Sequence, residues 1–282
     1  MDYFQDKKIS NSKKYVIKVL TYNILAQHLT NKLKGNVPDD KFLQWEFRLS
    51  NIINLVKKED ADIICFQEVD NTEDKYFKEL KKKMEEIGYQ GKKIVDTDKE
   101  TSIKLECAIF FKTYITFINK VKHTSRTCNI KLNIKGIDLR IVSLHCEGGT
   151  DEGWIKRLSL RDKHINKLIK KKLYNDTNVI ICGDFNESPQ TILNRGDNRL
   201  LNNPEYKFKK VMFPSYATVI NRESMIINCP SSQVDHIFYR GNIELLNINK
   251  MDKKELIYIS EGIPNEKYGS DHIPLVCEFV IQ

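Results

Sequence analysis

The chain has 282 residues, of which 40% are hydrophobic and 30% are charged, a composition typical of globular proteins with a large core. Lysine and arginine number 46 against 38 for aspartate and glutamate, so the formal charge is +8 and a polyanionic partner is favoured. No apolar run reaches the ~18 residues of a membrane span, and the N-terminal segment lacks the apolar core of a secretory signal. These features exclude a membrane-spanning helix, and we expect an intracellular protein, in the cytoplasm rather than the nucleus.

The seven cysteines are spread singly along the chain, and none forms a CxxC pair. Five of them lie inside apolar runs with the composition of strands. This spacing predicts buried thiols in a reducing compartment rather than a disulfide framework or a zinc site.

The first half of the chain alternates predicted strands and helices after a polar segment, residues 1–14. β-Branched and aromatic residues mark the strands, and apolar residues at every third or fourth position mark the helices. In order, the predicted elements are a strand over Tyr15–Tyr22, a helix over Phe42–Val56, a strand over Asp62–Phe66, a helix from Asn71 or Thr72 to Gly88, and strands over Lys104–Phe111 and Ile137–Leu144.

In the second half, a predicted helix over Arg157–Tyr174 leads into a buried strand, Val179–Cys182. The region from Pro189 to Pro230 has no regular pattern and is too long for a simple connection, so we expect a functional surface loop. Strands over Val234–Tyr239 and Leu275–Ile281 follow. Because no repeat or break in composition separates these elements, we expect residues 15–282 to form a single domain.

Polar side chains follow strand after strand, at or near the point where each strand ends. They are Asn23, Glu68, His145, Asp184 with Asn186, Asp235, and Asp271 with His272. If these strands share sheets, their ends form one polar crevice. In extended backbone Asp184 and Asn186 would point to the same side. The alternative is a turn in which both residues bond only to neighbouring backbone.

The residue types in this crevice predict metal-assisted attack on a phosphorus centre. Glu68, with Asn23 or Asp271 beside it, offers hard oxygen ligands that suit Mg²⁺ or Mn²⁺, whereas tetrahedral zinc requires a set of His and Cys ligands. A hard cation with open positions can polarise a phosphoryl oxygen and stabilise a leaving alkoxide. The sequence has neither a phosphate-binding P-loop motif nor a GxSxG nucleophile motif.

Proton transfer and charge stabilisation have their own candidates. Asp184 is the candidate base for the attacking water, and Asn186 can hold that water or the phosphate. His145 and His272 can donate to the nonbridging oxygens, where negative charge develops.

Six sequence motifs occur in a characteristic order. They are TYNILA (21–26), QEVD (67–70), SLHCEG (143–148), GDFNESP (183–189), QVDHIFY (233–239) and SDHIPL (270–275). This set resembles that of the endonuclease/exonuclease/phosphatase superfamily, whose members resemble deoxyribonuclease I. ECAIFFK (106–112), the Trp45–Arg48 helix start and the GDFN motif followed by SP resemble the deadenylase branch, which includes nocturnin and the angel proteins.

The resemblance implies an α/β fold, a four-layer α/β/β/α sandwich with two packed mixed β-sheets and outer helices. It also implies roles for the strand-end residues. These are Glu68 as principal Mg²⁺ ligand with Asn23 beside it, Asp271 facing the metal, Asp184 positioning the nucleophile, Asn186 and His145 on the phosphate, and His272 oriented by Asp235.

The implied activity is a Mg²⁺-dependent phosphodiesterase acting on RNA or oligonucleotide, a 3′-5′ exoribonuclease with deadenylase-like preference. Three alternatives on the same fold are a 2′,5′-oligoadenylate phosphodiesterase, a DNA-repair phosphodiesterase or endonuclease, and a nucleotide or sugar phosphatase. A catalytically silent RNA-binding module is an alternative of another class, and it predicts loss of the metal or water-positioning groups.

Three departures from the branch pattern leave the substrate open. Glu106 directly precedes Cys107 where the branch usually has an intervening glycine, and His236 occupies a position where tyrosine is common. The residues after His145 lack the usual acidic and aromatic sequence. No leucine-rich repeat precedes the catalytic region, so we expect no docking module of that kind, and we expect a monomer.

Outside the motifs, three residues are candidates for substrate contact. Phe213 and Tyr216, in the irregular region, can stack on an exposed base, or they can form a small satellite core. Arg126 can contact a phosphate or remain at the surface. His236 should point away from Asp235 and serve packing.

Overall fold

The computed structural model describes residues 13–93, 105–120, 126–148, 160, 163, 165–169, 173, 175–187, 207–213 and 233–282. Two mixed six-stranded sheets pack face to face, and helices cover their outer faces. The predicted four-layer sandwich is therefore confirmed.

The elements follow one another in a largely alternating order. They are β1 (Tyr15–Asn23), 3₁₀ helices over Gln27–Leu33 and Asp40–Leu43, α1 (Trp45–Glu59), β2 (Ile63–Asp70), α2 (Asp74–Glu86), β3 (Tyr89–Lys93), β4 (Leu105–Lys112), β5 (Thr116–Lys120), β6 (Thr127–Ile134), β7 (Ile137–His145), β8 (Val179–Asp184), β9 (Lys209–Lys210), β10 (Asp235–Arg240), β11 (Ile243–Ile248), α3 (Lys253–Ser260) and β12 (Leu275–Ile281).

Each sheet has one parallel strand pair near its centre. The first sheet has the order β11-β12-β1-β2-β4-β3 and the second has the order β5-β6-β7-β8-β10-β9. The parallel pairs are β1 with β2 and β7 with β8, and the other described pairs are antiparallel. Because parallel strands end at the same edge of a sheet, each pair brings two carboxyl ends together.

Apolar side chains fill three layers. Between the sheets, one apolar cluster contains residues of both sheets, such as Ile17 and Ile141. On the outer face of the first sheet, a second cluster contains Phe66 together with Ile52 of α1 and Leu80 of α2. On the outer face of the second sheet, buried residues of the segment 165–173 pack against the strands. Full burial of each such side chain contributes about 1.5–3 kcal/mol, so these contacts hold the layers together.

Some predicted boundaries were wrong. The helix predicted from Phe42 begins at Trp45, because Gln44 has extended backbone and Phe42 belongs to a 3₁₀ helix. The next helix begins at Asp74, because the backbone and hydroxyl of Thr72 donate to Asp70 instead of capping the helix. Residues 160, 163, 165–169 and 173 are helical, within the predicted Arg157–Tyr174 helix, whose other residues lie outside the described part of the chain.

The six cysteines within the described residues are all buried and free, as predicted. None of the helices in the described part of the chain combines the length and the apolar character needed to cross a bilayer.

Candidate active site

The predicted strand-end residues converge where the two sheets meet. In the strand register, His145 of β7 lies opposite Asp184 of β8, and Asp235 of β10 also lies opposite Asp184. From the other sheet, Nδ2 of Asn23 donates to Oδ2 of Asp184 over 3.1 Å. The predicted convergence of strand-end groups is therefore seen, and it includes groups from both sheets.

Glu68 lies in an irregular part of β2. The pairing register of β2 with β4 shifts between Phe66 and Val69, and Glu68 has a φ of 53°. This left-handed backbone costs a non-glycine residue about 1–2 kcal/mol, and bulges of this kind re-aim side chains next to active sites. The Glu68 carboxylate accepts from the backbone N–H of Ala26 over 3.2 Å, and its Oε1 lies 3.6 Å from Nε2 of His145.

A tight turn follows Asp184. The backbone N–H of Asn186 donates to Oδ1 of Asp184 over 2.7 Å, and Nδ2 of Asn186 donates to the carbonyl of Cys146 over 3.0 Å. Asn186 has a φ of 51°, so the extended backbone assumed for this pair was wrong. The alternative, a turn in which these side chains bond to neighbouring backbone, holds for Oδ1 of Asp184, which accepts from the Asn186 N–H. The other oxygen, Oδ2, accepts from Asn23 and faces the site.

Only glycine fits before Asp184. Gly183 has a φ of +138°, and a Cβ at this position would lie 2.0 Å from the carbonyl oxygen of Leu144. The parallel neighbour β7 can therefore approach β8 closely at its end, which brings His145 beside Asp184.

The Asp184 carboxyl resists ionisation. Burial and the neighbouring Asp235 carboxylate raise its pKa to about 6, against the opposing effects of His272, His145 and the Asn186 N–H. A carboxyl with a pKa near neutrality can accept a proton and release it again at physiological pH.

His272 and Asp235 form a close pair. Nδ1 of His272 lies 2.8 Å from Oδ2 of Asp235, and Nε2 lies 3.9 Å from Oδ2 of Asp184. Burial alone would lower the pKa of His272, but the carboxylates of Asp235, Asp271 and Asp184 raise it to about 10. The ring is therefore an imidazolium at neutral pH.

The acidic groups fit a divalent cation. Burial opposes ionisation of Glu68, but His145, His272 and hydrogen bonds from Asn23 and Ala26 lower its pKa. Burial and the Glu68 charge raise the pKa of Asp271, so these two carboxylates repel each other without a cation. Possible ligand atoms form two sets of three; within each set the atoms lie within 4.8 Å of one another, and Asp184 belongs to both sets. They are Glu68, His145 and Asp184, and Asp184, Asp235 and His272.

Arg48 lies behind the site, fully buried at the start of α1. Its Nη1 donates to the carbonyls of Ile24 and Gly269 over 2.8 and 2.9 Å, and its Nη2 donates to Oε1 of Gln27 over 2.9 Å. Burial lowers the Arg48 pKa to about 10, so the group remains charged. The sequence marks Arg48 only as part of a family pattern, because burial of an arginine has no local signal.

Two buried hydroxyls connect the segments that contain the site. Ser270 donates to the carbonyl of Asn23 over 2.7 Å and accepts from the N–H of His272 over 3.2 Å. Ser143 of β7 accepts from Nε2 of Gln67 over 2.9 Å and donates to the Phe66 carbonyl over 3.1 Å, which joins the two sheets. Both serines lie in sequence motifs, but neither was predicted to have this role.

The three residues predicted to contact substrate differ in where they lie. Nε of Arg126 lies 2.7 Å from Oε1 of Glu147, and its carbonyl accepts from the N–H of His145, which places Arg126 beside the site. Phe213 is partly buried and packs against the large core between the sheets, not in the small satellite core of the packing alternative, and its contact with a base stays a prediction. Tyr216 lies outside the described residues.

His236 serves packing, as predicted. Its ring lies 5.6 Å from that of Phe185 and 6.3 Å from that of Phe238, between centroids. Its Nε2 lies 2.8 Å from the carbonyl oxygen of Glu187.

A sequence model described as the Endonuclease/Exonuclease/phosphatase family matches residues 20–272. The chain belongs to this family. The predicted superfamily resemblance is thereby confirmed, and the predicted enzyme class, a hydrolase, is confirmed at the level of the family.

Relatives agree with the predicted branch of the Endonuclease/Exonuclease/phosphatase family. Protein angel homolog 2 of Mus musculus is 28% identical over 62% of this chain and 36% of its own length. The CCR4-Not complex 3′-5′-exoribonuclease subunit Ccr4 of Schizosaccharomyces pombe is 24% identical over 98% of this chain and 51% of its own length. This chain therefore spans only part of the length of either relative.

A solved structure has the same fold. ANGEL2, a 2′,3′-cyclic phosphatase in complex with adenosine-2′,3′-vanadate, matches with a TM-score of 0.72 and 22% identity, over 95% of this chain and 96% of that chain.

Proposed function

We propose that this chain is a divalent-metal-dependent phosphodiesterase that hydrolyses RNA or oligonucleotides, as a 3′-5′ exoribonuclease with deadenylase-like preference. One observation supports this most strongly: the acidic and imidazole groups of Glu68, His145, Asp235 and His272 gather around the Asp184 carboxylate, which Asn23 hydrogen-bonds from the other sheet. The catalytically silent alternative predicts loss of these groups, and they are present.

Glu68 and Asp271, with the amide oxygen of Asn23, would hold Mg²⁺ or Mn²⁺. These are the oxygen donors that hard cations prefer, and the repulsion between the two buried carboxylates would be relieved on binding. When bound, the cation supplies charge stabilisation at a phosphoryl oxygen and at the leaving alkoxide.

Asp184 would accept the proton of the attacking water. Its two oxygens are oriented by the Asn186 N–H and by Nδ2 of Asn23, so the carboxylate is held in one position. Its pKa of about 6 allows it to be ionised at neutral pH and still basic enough to take a proton.

His272 and His145 would donate hydrogen bonds to the nonbridging phosphate oxygens. The Asp235 carboxylate holds Nδ1 of His272, which leaves Nε2–H of the imidazolium for the substrate. Donors fixed before the reaction stabilise the developing charge without reorganising. Asn186 and Arg126 lie at the edge of this arrangement and would assist in holding the phosphate.

A second candidate activity is removal of a 2′,3′-cyclic phosphate from an RNA end. The observation that favours it is the match in fold to ANGEL2, together with the 28% sequence identity to Protein angel homolog 2. Both activities require the same attack of water on phosphorus, so the substrate and not the mechanism distinguishes them.

The test is incubation of the protein with labelled poly(A), 2′,5′-oligoadenylate, an RNA ending in a 2′,3′-cyclic phosphate, and an abasic DNA duplex. Each is followed with Mg²⁺, with Mn²⁺ and with a chelator, and Asp184→Asn is the matched inactive control. We expect metal-dependent shortening of poly(A) from its 3′ end. Failure to convert any substrate with either metal would overturn the proposed function.

A further inference from the structure

The bulge in β2 determines which face of the first sheet Glu68 lies on. Gln67 and Glu68 together oppose one residue of β4, Cys107, because the pairing register shifts between Phe66 and Val69. Phe66 and Val69 both belong to the apolar cluster on the outer face of the sheet. Alternate residues of a regular strand share a face, so without the extra residue Glu68 would lie on the outer face with Phe66. The bulge therefore directs Glu68 toward the second sheet and the candidate site.

Ser143, in the second sheet, forms two hydrogen bonds at the start of this bulge. Its hydroxyl donates to the carbonyl of Phe66 over 3.1 Å and accepts from Nε2 of Gln67 over 2.9 Å. The same Nε2 lies 3.0 Å from the carbonyl oxygen of Cys65 and 3.1 Å from Oγ1 of Thr21, both in the first sheet. Ser143 and Gln67 have no exposed surface, so bulk water does not compete for these bonds.

The backbone of the bulge needs support from its surroundings. Glu68 has a left-handed φ of 53°, which is unfavourable for a residue with a Cβ, and such a conformation persists only where surrounding contacts favour it. Loss of the Ser143 hydroxyl would remove one partner from the Phe66 carbonyl and one from the Gln67 amide in a buried place. The regular pairing of β2, in which Glu68 lies on the outer face, would then compete with the bulge.

We infer that Ser143 is a positioning residue: from the second sheet it holds the bulge of β2, and the bulge directs the Glu68 carboxylate into the site. The inference rests on the proposed function, because it takes Glu68 to be the principal ligand of the divalent cation. Ser143 contacts Phe66 and Gln67 rather than the cation or the substrate. Its effect should therefore appear in the metal affinity and in the backbone of β2.

The first test is a calorimetric titration with Mn²⁺. Ser143→Ala should bind Mn²⁺ about tenfold more weakly than the unchanged protein, a typical result of removing a group that orients a metal ligand. Thr21→Val is the matched control, because it also removes a buried hydroxyl beside Gln67 but leaves the Phe66 carbonyl bonded to Ser143. Its Mn²⁺ affinity should not change. Equal affinities in Ser143→Ala and the unchanged protein, or an equal loss in Thr21→Val, would overturn the inference.

A second pair of variants separates the hydrogen bonds from packing. Ser143→Thr and Ser143→Val have nearly the same shape, but only threonine has a hydroxyl. The valine variant should bind Mn²⁺ about tenfold more weakly than the threonine variant, and equal affinities would contradict the role given to the hydroxyl. If these variants do not fold, Gln67→Met, which removes the donor to Ser143 and keeps the length of the side chain, should show the same loss of affinity. An unchanged affinity in Gln67→Met would count against the inference.

Hydrogen exchange keeps this inference distinct from the proposed function, because it needs neither metal nor substrate. Mass spectrometry of the peptide that spans residues 64–70 should show about tenfold faster amide exchange in Ser143→Ala, as expected for the loss of a buried hydrogen bond. Thr21→Val should exchange at the unchanged rate. If the unchanged protein binds no Mn²⁺ and cleaves no substrate, the proposed function fails, while this exchange still decides whether Ser143 holds the bulge. Equal exchange in the two variants would refute that role.

Discussion

Asp235 and Asp184 lie at different nitrogens of one imidazole ring: the Asp235 carboxylate lies 2.8 Å from Nδ1 of His272, and Oδ2 of Asp184 lies 3.9 Å from Nε2. The ring is thereby fixed between a carboxylate that orients it and a carboxylate that would act as the base. Burial opposes protonation of the ring, and the carboxylates of Asp235, Asp271 and Asp184 together outweigh it, with Asp235 the largest of the three.

Asp235→Asn should reduce kcat by at least about 10²-fold, the usual contribution of a positioned acid-base group. Loss of the Asp235 charge should also lower the pKa of His272 from its value of about 10, which an NMR titration of the ring protons measures. Asp60→Asn, an exposed carboxylate directly after the end of α1, is the matched control. An unchanged kcat would contradict the role given to Asp235.

The backbone of Glu68 permits a test of strain. Glu68→Gly and Glu68→Ala both remove the carboxylate, but only glycine adopts a φ of 53° without steric cost. We expect the glycine variant to be more stable than the alanine variant by about 1 kcal/mol, measured by urea unfolding. The same pair at Glu244, an exposed position in β11, should show the opposite order.

If the two Glu68 variants unfold at the same urea concentration, the left-handed backbone is not a source of strain. Both variants should lose Mn²⁺ affinity in a calorimetric titration, since the carboxylate proposed as principal ligand is absent from each.

Acid should destabilise the protein through His236. Burial and the nearby Lys210 charge lower its pKa to about 3, against the Glu187 carbonyl and Asp235, whereas the unfolded chain protonates this ring near pH 6.5. The unfolded state therefore binds more protons in this range, and stability decreases as the pH falls from about 6.5 toward 3. This group alone should cost about 1.4 kcal/mol between pH 7.5 and 5.5.

Urea unfolding at the two pH values checks this contribution. His236→Gln retains a donor for the Glu187 carbonyl but does not titrate, so its stability should change less over the same interval. An identical decrease in the variant and the unchanged protein would show that other groups cause the acid sensitivity.

Arg48→Lys should destabilise the fold by about 2 kcal/mol or more, because a lysine cannot satisfy both backbone carbonyls and Gln27 at once. Urea unfolding measures this loss. Arg126→Lys, at a partly exposed ion pair, should change stability by about 0.5 kcal/mol or less. Comparable losses in the two variants would contradict the importance of the buried hydrogen bonds.

The sequence predicted which residues converge because each is a polar residue of a potentially catalytic type at the end of a predicted strand. His145, Asp184 and Asp235 come together in adjacent strands, and Asn23 reaches Asp184 from the other sheet. The structure shows this convergence, whereas the catalytic role of each residue stays a prediction. The bulge at Glu68 was not predictable, because its cause is a shift in pairing with β4 and not the residues of β2 alone.

Elements with mixed polarity escaped prediction for a related reason. β5 and β11 are a terminal strand of each sheet, and several of their residues are exposed. A terminal strand pairs with a neighbour on one side only and leaves many of its side chains in solvent. The alternating apolar pattern that identifies a strand is therefore weak in its sequence. Buried polar partners such as Arg48 with Gly269, 221 residues apart in sequence, likewise depend on the tertiary fold.

The hydrogen bonds of Ser143 with Gln67 and the Phe66 carbonyl join the two sheets at one point of the core between them. The core therefore fixes the relative position of the sheets as well as stabilising them. Burial of apolar surface has no direction, so it resists separation of the sheets more than sliding of one across the other. Glu68 moves with one sheet and Asp184 with the other, so their separation records how the sheets are aligned. A substitution in the core between the sheets must therefore preserve both the stability of the fold and the relative position of the two sheets. A substitution beneath the outer helices needs to preserve only the stability.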